Sequence, residues 1–292
     1  MISMAGGVSL DRVRFGPAGR PLSLKSKKLE DIPPYLKQLG LNAMEYEAVR
    51  RVNISEEKAV NFGNLAREYG ILLSLHAPYA LNLAASKEET YKGSLERLFR
   101  AAEAADWMGA YRVVFHPGYY RDLEPNVALR NVIERLGILV EKLVSKGIRT
   151  VLSPETTGKV KQVGSLEEVV EISRSIGVKY CIPTIDFAHI YARSRGERPL
   201  NVNDYLDILE YIEKELGREA VNPVHIHFSE IEFGEGGEVR HHPIGSGYGP
   251  DFTPLAKVLV ETGYSAVIIS ESPLLEEDAL KMKKSLQEIA PK

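Results

Sequence analysis

The chain has 292 residues, 44% of them apolar, and a net charge of −3 from 37 basic and 40 acidic side chains. This suits one large α/β domain with a substantial core, and the near balance of charge neither requires nor excludes a polyanionic partner. One cysteine, Cys181, excludes an internal disulfide framework and a cysteine-rich zinc site.

Short runs rich in β-branched residues alternate with longer helical patterns. In chain order the strand-like runs are 12–15, 43–46, 71–75, 111–115, 150–153, 180–185, 224–228 and 266–270. Between them, Val132, Leu136, Leu139 and Leu143 share one helical face, as do Leu206, Leu209, Ile212 and Leu216. Ser165 and Asn203 are expected N-caps, and Gly147, Gly177 and Gly217 stand where helices should stop.

Eight such alternations predict an α/β protein, a (β/α)8 TIM barrel in one domain over residues 1–292. The segment FGPAG at 15–19 lacks the glycine spacing of a dinucleotide turn, which disfavours an open nucleotide-binding sheet. After the seventh strand, residues 230–250 read as an irregular loop insertion of functional type. The opening MISMAGGVSLDRVRFG lacks the pattern of a signal peptide, and no stretch approaches the ~20 apolar residues of a membrane span, which predicts a cytoplasmic protein with no membrane partner.

The strand ends carry the chemistry. The third ends in His76, the fourth in His116, the fifth in Glu155, the sixth in Asp186, the seventh in His227 and the eighth in Glu271. Their spacing is one βα unit each, so a barrel would aim all six into the cup where barrel active sites lie. Imidazole and carboxylate together suit Zn, Mn or Fe. His189 and His241 lie near that face, with His242 the alternative to His241. His225 and Cys181 read as core residues. Tyr119, Tyr120 and Trp107 read as packing or rim residues, and Glu276–Asp278 as a solvated helix start.

In SLHAPYALNLAAS (74–86), VVFHPG (113–118), PETTGK (154–159), TIDFAHIYA (184–192), RHHPIGSG (240–247) and SESP (270–273) the chain resembles the endonuclease IV family, from about residue 12 to its end. The resemblance implies a barrel enzyme, a hydrolase that cuts DNA on the 5′ side of abasic sites in DNA repair. It implies two or three ions, usually Zn2+, with a bridging hydroxide as nucleophile. His76 and His116 would hold one metal. Glu155 would bridge it to a second completed by Asp186, His227 and Glu271, and His189 and His241 would hold a third. Glu155 and Glu271 are the expected catalytic carboxylates. Tyr79 matches a tyrosine near the DNA, and Arg50, Lys159 and Arg193 are the basic loop residues expected to contact double-stranded DNA. No obligate protein partner is implied.

Two positions depart from the family. Val239 stands where an Asp precedes the insertion-loop His by two residues, and valine cannot ligate. Glu238 is one position away, with Glu230, Glu232 and Glu235 as alternatives; otherwise the third site rests on two histidines and water. Ser246 stands where a Glu is common. The competing reading is a sugar isomerase or epimerase, which needs only the quartet Glu155, Asp186, His227 and Glu271 for one metal. A non-catalytic binding homologue is the third.

Overall fold

The computed structural model describes residues 12–290. Among the described residues eight barrel strands follow one another in the chain: β1 (Val13–Pro17), β2 (Ala43–Glu47), β3 (Leu72–His76), β4 (Arg112–Phe115), β5 (Val151–Pro154), β6 (Thr184–Asp186), β7 (Val224–Phe228) and β8 (Ala266–Ser270). The helices are α1 (Ile32–Leu39), α2 (Glu56–Glu68), α3 (Glu88–Met108), α4 (Pro125–Ser145), α5 (Leu166–Ile176), α6 (Phe187–Arg193), α7 (Val202–Leu216), α8 (Phe252–Thr262) and α9 (Glu276–Ile289). The signal-peptide reading rested mainly on residues 1–11, which lie outside the described residues. Among the described residues no helix is long and apolar enough to cross a membrane.

All eight strands run parallel, in two runs of four ordered β1–β8–β7–β6 and β2–β3–β4–β5. Parallel bridges close both seams: Ala18 to Glu45 on one side, and Leu152 to Cys181 and Glu155 to Thr184 on the other. The result is a closed (β/α)8 barrel. At the first seam the backbones meet so closely that a Cβ on Gly16 would sit 1.8 Å from the Ala43 carbonyl oxygen, so only glycine fits.

The helices bury the faces that their periodicity predicts. Val132, Leu136, Leu139 and Leu143 of α4 are all buried. Ser165 caps α5 in a reciprocal capping box with Glu168. The cap of α7 is Asn201 rather than Asn203, because Asp204 at the third helical position can reach back to the Asn201 backbone. Leu206 is only partly buried on α7, where Tyr205 and Ile208 take the inward positions.

Two further expectations change. The insertion is not irregular throughout: Glu230–Gly234 and Gly237–His242 form an antiparallel hairpin. The acidic start of α9 is solvated only at Glu277, since Glu276 and Asp278 are both buried. Glu276 accepts from Leu22 N–H (2.9 Å), Ser23 N–H (2.8 Å) and Ser23 Oγ (2.7 Å), while Asp278 accepts from Ile244 N–H (2.8 Å). These carboxylates satisfy loop donors that would otherwise be buried unpaired.

Barrel interiors are usually filled by branched apolar residues. Here Glu45, Ser74, Arg112, Ser153, Thr184, His225 and His227 are all buried. Such polar groups are tolerated only when they find partners. Arg112 donates to the carbonyls of Pro183 (3.1 Å) and Pro223 (3.0 Å), and Ser153 Oγ lies 2.7 Å from Thr184 Oγ1.

Candidate metal centre

The parallel register sets the strand-end residues at one level. His227 pairs with Asp186, and His76 with Glu47. Glu155 is fully buried at the centre. Its Oε2 lies 3.1 Å from His76 Nε2 and 3.1 Å from His116 Nε2, and its Oε1 lies 3.2 Å from both His227 Nδ1 and His189 Nδ1. Asp186 and Glu271 close the set, with Glu271 Oε1 3.1 Å from His227 Nδ1. Ligand atoms of three groups each lie within 4.8 Å of one another: His76, His116 and Glu155; Glu155, Asp186, His227 and Glu271; and His189, His241 and Glu271. The structure thus brings together all eight side chains expected as ligands.

Three of these histidines are oriented through Nδ1. Donation from His76 Nδ1 to the Ala77 carbonyl (2.7 Å) leaves Nε2 free towards Glu155. His189 Nδ1 donates likewise to the Thr156 carbonyl (2.9 Å), and His241 Nδ1 lies 2.7 Å from Ser229 Oγ. This is the outer-shell arrangement that metal-binding imidazoles need. His242 turns away, stacking on Tyr248 at 3.8 Å and contacting Glu232.

The electrostatics call for a cation. Asp186 Oδ2 and His116 Nε2 are buried atoms with charged neighbours but no aligned hydrogen bond. Burial drives the Asp186 carboxyl well above its ordinary range, only partly opposed by His189, with Glu271 and Glu155 raising it further. Burial also acts to raise Glu155, but His116 and His227 hold it well below the ordinary value. Crowded acids and imidazoles with orphaned atoms are stabilised by divalent cations, so the residues present fit such ions.

The third group differs from its sequence expectation. Along the outer hairpin strand Arg240 pairs with Glu232, but Glu238 pairs with Phe233, so Val239 is an extra, bulged residue. Strict alternation from His241 would turn Val239 inward. The bulge shifts the phase instead: Val239 is 58% exposed, while Glu238 lines the cavity with Oε2 3.5 Å from His189 Nε2. Of the alternative carboxylates, Glu230 accepts from Gly245 N–H (2.6 Å), Ser246 Oγ (2.7 Å) and Tyr248 N–H (2.8 Å), and so shapes the loop. Glu232 is engaged by Arg240 and His242, and Glu235 is exposed at the hairpin turn.

The cavity measures about 440 Å3 and is lined by His116, His189, His241, Glu271, Tyr79 and Lys159 among others. Tyr79 is exposed at its mouth, its ring 4.8 Å from that of His76. Arg50 is exposed beside Val49, another lining residue. Arg193 does not face the cavity mouth as a free cation. Its guanidinium donates to the carbonyls of Lys159 (2.9 Å) and Gln162 (3.0 Å) and to Tyr120 Oη (3.0 Å), which makes it a clamp between loops.

Sequence reasoning missed Glu45 and Glu47 on β2. Glu45 Oε1 lies 2.9 Å from His227 Nε2, and Glu47 accepts from Tyr79 Oη at 3.0 Å. The alternation in AMEYE was a signal that both point into the barrel, and Glu47, level with His76, stands at a strand end like the six residues singled out. His225 is buried as expected, though bonded to Glu45 rather than idle.

Residues 34–290 match the family described as xylose isomerase-like TIM barrel. A probable endonuclease 4 of Aquifex aeolicus is 30% identical over 200 residues, covering 67% of this chain and 68% of that protein. The chain belongs to the endonuclease IV-like members of the xylose isomerase-like TIM barrel family. An uncharacterized protein of Methanocaldococcus jannaschii is 37% identical over 281 residues, 94% of this chain and 97% of its own length. The solved structure of a D-tagatose 3-epimerase-like protein aligns with a TM-score of 0.71 at 26% identity, over 95% of this chain and 97% of that one. A fold shared between endonucleases and epimerases leaves function to the site.

Proposed function

We propose that this endonuclease IV-like protein is a metal-dependent endonuclease that hydrolyses the DNA phosphodiester 5′ to abasic sites, acting in intracellular DNA repair with Zn2+ or a similar divalent ion. The observation that carries this reading is the meeting of three ligand groups around Glu155 and Glu271. A one-metal sugar enzyme needs only the quartet and has no use for His76, His116, His189 and His241.

His76, His116 and Glu155 would hold one ion, Glu155, Asp186, His227 and Glu271 a second, and His189, His241 and Glu238 a third. Divalent ions so held lower the pKa of water and neutralise charge developing on a phosphate. Glu155 presents one oxygen to each half of the centre, so it couples their positions. Glu271, part-exposed in the cavity, would take a proton from attacking water. Tyr79 at the mouth and the exposed Arg50 next to Val49 would meet the DNA where an abasic nucleotide must leave the stack to enter. Lys159 offers the cavity wall a cation for backbone phosphate.

The test is incubation of the zinc-loaded protein with duplex DNA carrying one synthetic abasic site. A nick on its 5′ side, absent with Glu155→Ala, supports the reading. The epimerase reading has its own support in the complete quartet and in the epimerase-like neighbour. Intact DNA together with turnover of a ketose panel would establish it instead.

A further inference from the structure

Glu45 and His225 lie inside the barrel, below the groups that face the cavity, and no step above uses them. We propose that Glu45 is a positioning residue that fixes His227 as the tautomer protonated at Nε2, so that Nδ1 offers its lone pair to the metal centre. This rests on the metal-bound reading of the site.

The contacts form a chain. A neutral His225 carries its proton on Nε2, the nitrogen beside the Glu45 carboxylate, and its Nδ1 then accepts from Tyr111 Oη at 2.5 Å. That Nε2–H donates to Glu45 Oε2 at 3.1 Å, and Ser74 Oγ donates to the same oxygen at 2.7 Å. Two donors on one oxygen pin the carboxylate and leave its other oxygen facing His227. Glu45 Oε1 and His227 Nε2 are 2.9 Å apart, yet neither has an aligned hydrogen-bond partner in this structure. All of these side chains but Tyr111 are fully buried or nearly so, so water does not offer either atom a substitute.

An ionised carboxylate only accepts, so the contact is favourable only if the proton sits on His227 Nε2. In the metal-free protein Nδ1 hydrogen-bonds Glu155 Oε1 at 3.2 Å and lies 3.1 Å from Glu271 Oε1, so this nitrogen carries a proton there as well. A cation held by the two carboxylates would displace that proton, while Glu45 keeps the one on Nε2 and leaves Nδ1 the lone pair to offer. A carboxylate behind a ligating histidine orients the ring and raises its basicity.

Two measurements decide this. In the protein loaded with Zn2+, 15N NMR of the histidine side chains should show His227 coordinated through Nδ1 with a proton retained on Nε2. Replacing Glu45→Gln, whose amide can donate to Nε2 and so favour the other tautomer, should weaken Zn2+ binding in chelator competition by roughly 10–100-fold. A purely structural role would lower the melting temperature of the metal-free variant without moving the proton on His227. Coordination through Nε2, or a Glu45→Gln protein that binds zinc within twofold of the parent, would overturn the inference. If the variant does not fold, the spectrum of the parent decides alone. A parent protein that takes up no zinc at all would remove the metal reading itself, and this inference with it.

Discussion

Glu238 Oε2 stands 3.5 Å from His189 Nε2, although by strict alternation Glu238 belongs on the outer face of its strand. One bulged residue, Val239, turns the carboxylate inward. Backbone geometry therefore returns a carboxylate to the place where the family motif has its Asp and this chain has Val239. Glu238→Gln should reduce the zinc content by one ion per chain in elemental analysis while leaving the other two. Val239→Asp, whose side chain would project to solvent, should leave the content unchanged. A gain of one ion from Val239→Asp would refute this account of the hairpin.

The same contact depends on Gly158. A Cβ there would sit 2.6 Å from Glu238 Cβ and 2.9 Å from His189 Cδ2. Gly158→Ala must push the hairpin away from α6, at a cost of about 1–3 kcal/mol for overpacking. The expected result is a lower melting temperature together with loss of the third zinc ion. A variant as stable as the parent and with full zinc content would show that the hairpin yields freely.

Lys159 and Arg193 should separate binding from stability. The Lys159 side chain lines the cavity, so Lys159→Ala should weaken duplex binding at all sequences and reduce the slope of log affinity against log salt by roughly one unit. Arg193→Ala removes the donor shared by the Lys159 and Gln162 carbonyls and Tyr120. Of these, the part-buried Gln162 carbonyl and Tyr120 Oη are left as unpaired acceptors, at a cost of at most about 1–3 kcal/mol each. Chemical denaturation should register that loss, with no change in the salt slope measured on the folded fraction.

The metal-free protein should grow less stable as the solution becomes alkaline. Burial acts to lower the His76 imidazole, but Glu47 and Glu155 raise it to about 10. A histidine raised in the folded state contributes its full stabilisation below its unfolded value of about 6.5 and loses it as pH climbs through the folded value. Burial raises Glu47 to about 8, so charging it in the folded state also opposes folding over this window. Zinc binding requires the proton to leave His76 and therefore strengthens with pH. The gap in melting temperature between zinc-loaded and chelator-stripped protein should widen from about pH 6 to about pH 9. A constant gap would contradict the coupling.

Much of this was legible in the chain itself. Alternating strand and helix patterns defined the barrel, and a residue such as His76 or Glu271 at a strand end had to face the cup, because parallel strands share one direction. Hydrophobic periodicity likewise marked the inward face of α4. Local pattern could not assign Glu238, since a bulge changes phase only when the partner strand leaves one residue unpaired. Nor could it assign Glu45, whose role exists because β2 and β7, 180 residues apart, meet across the barrel. Arg193 and the acids of α9 looked like surface charge for the same reason: their partners come from loops that only closure of the barrel brings near. Periodicity along the chain determined which faces turn inward, while contacts between distant strands and loops decided which of the inward groups meet.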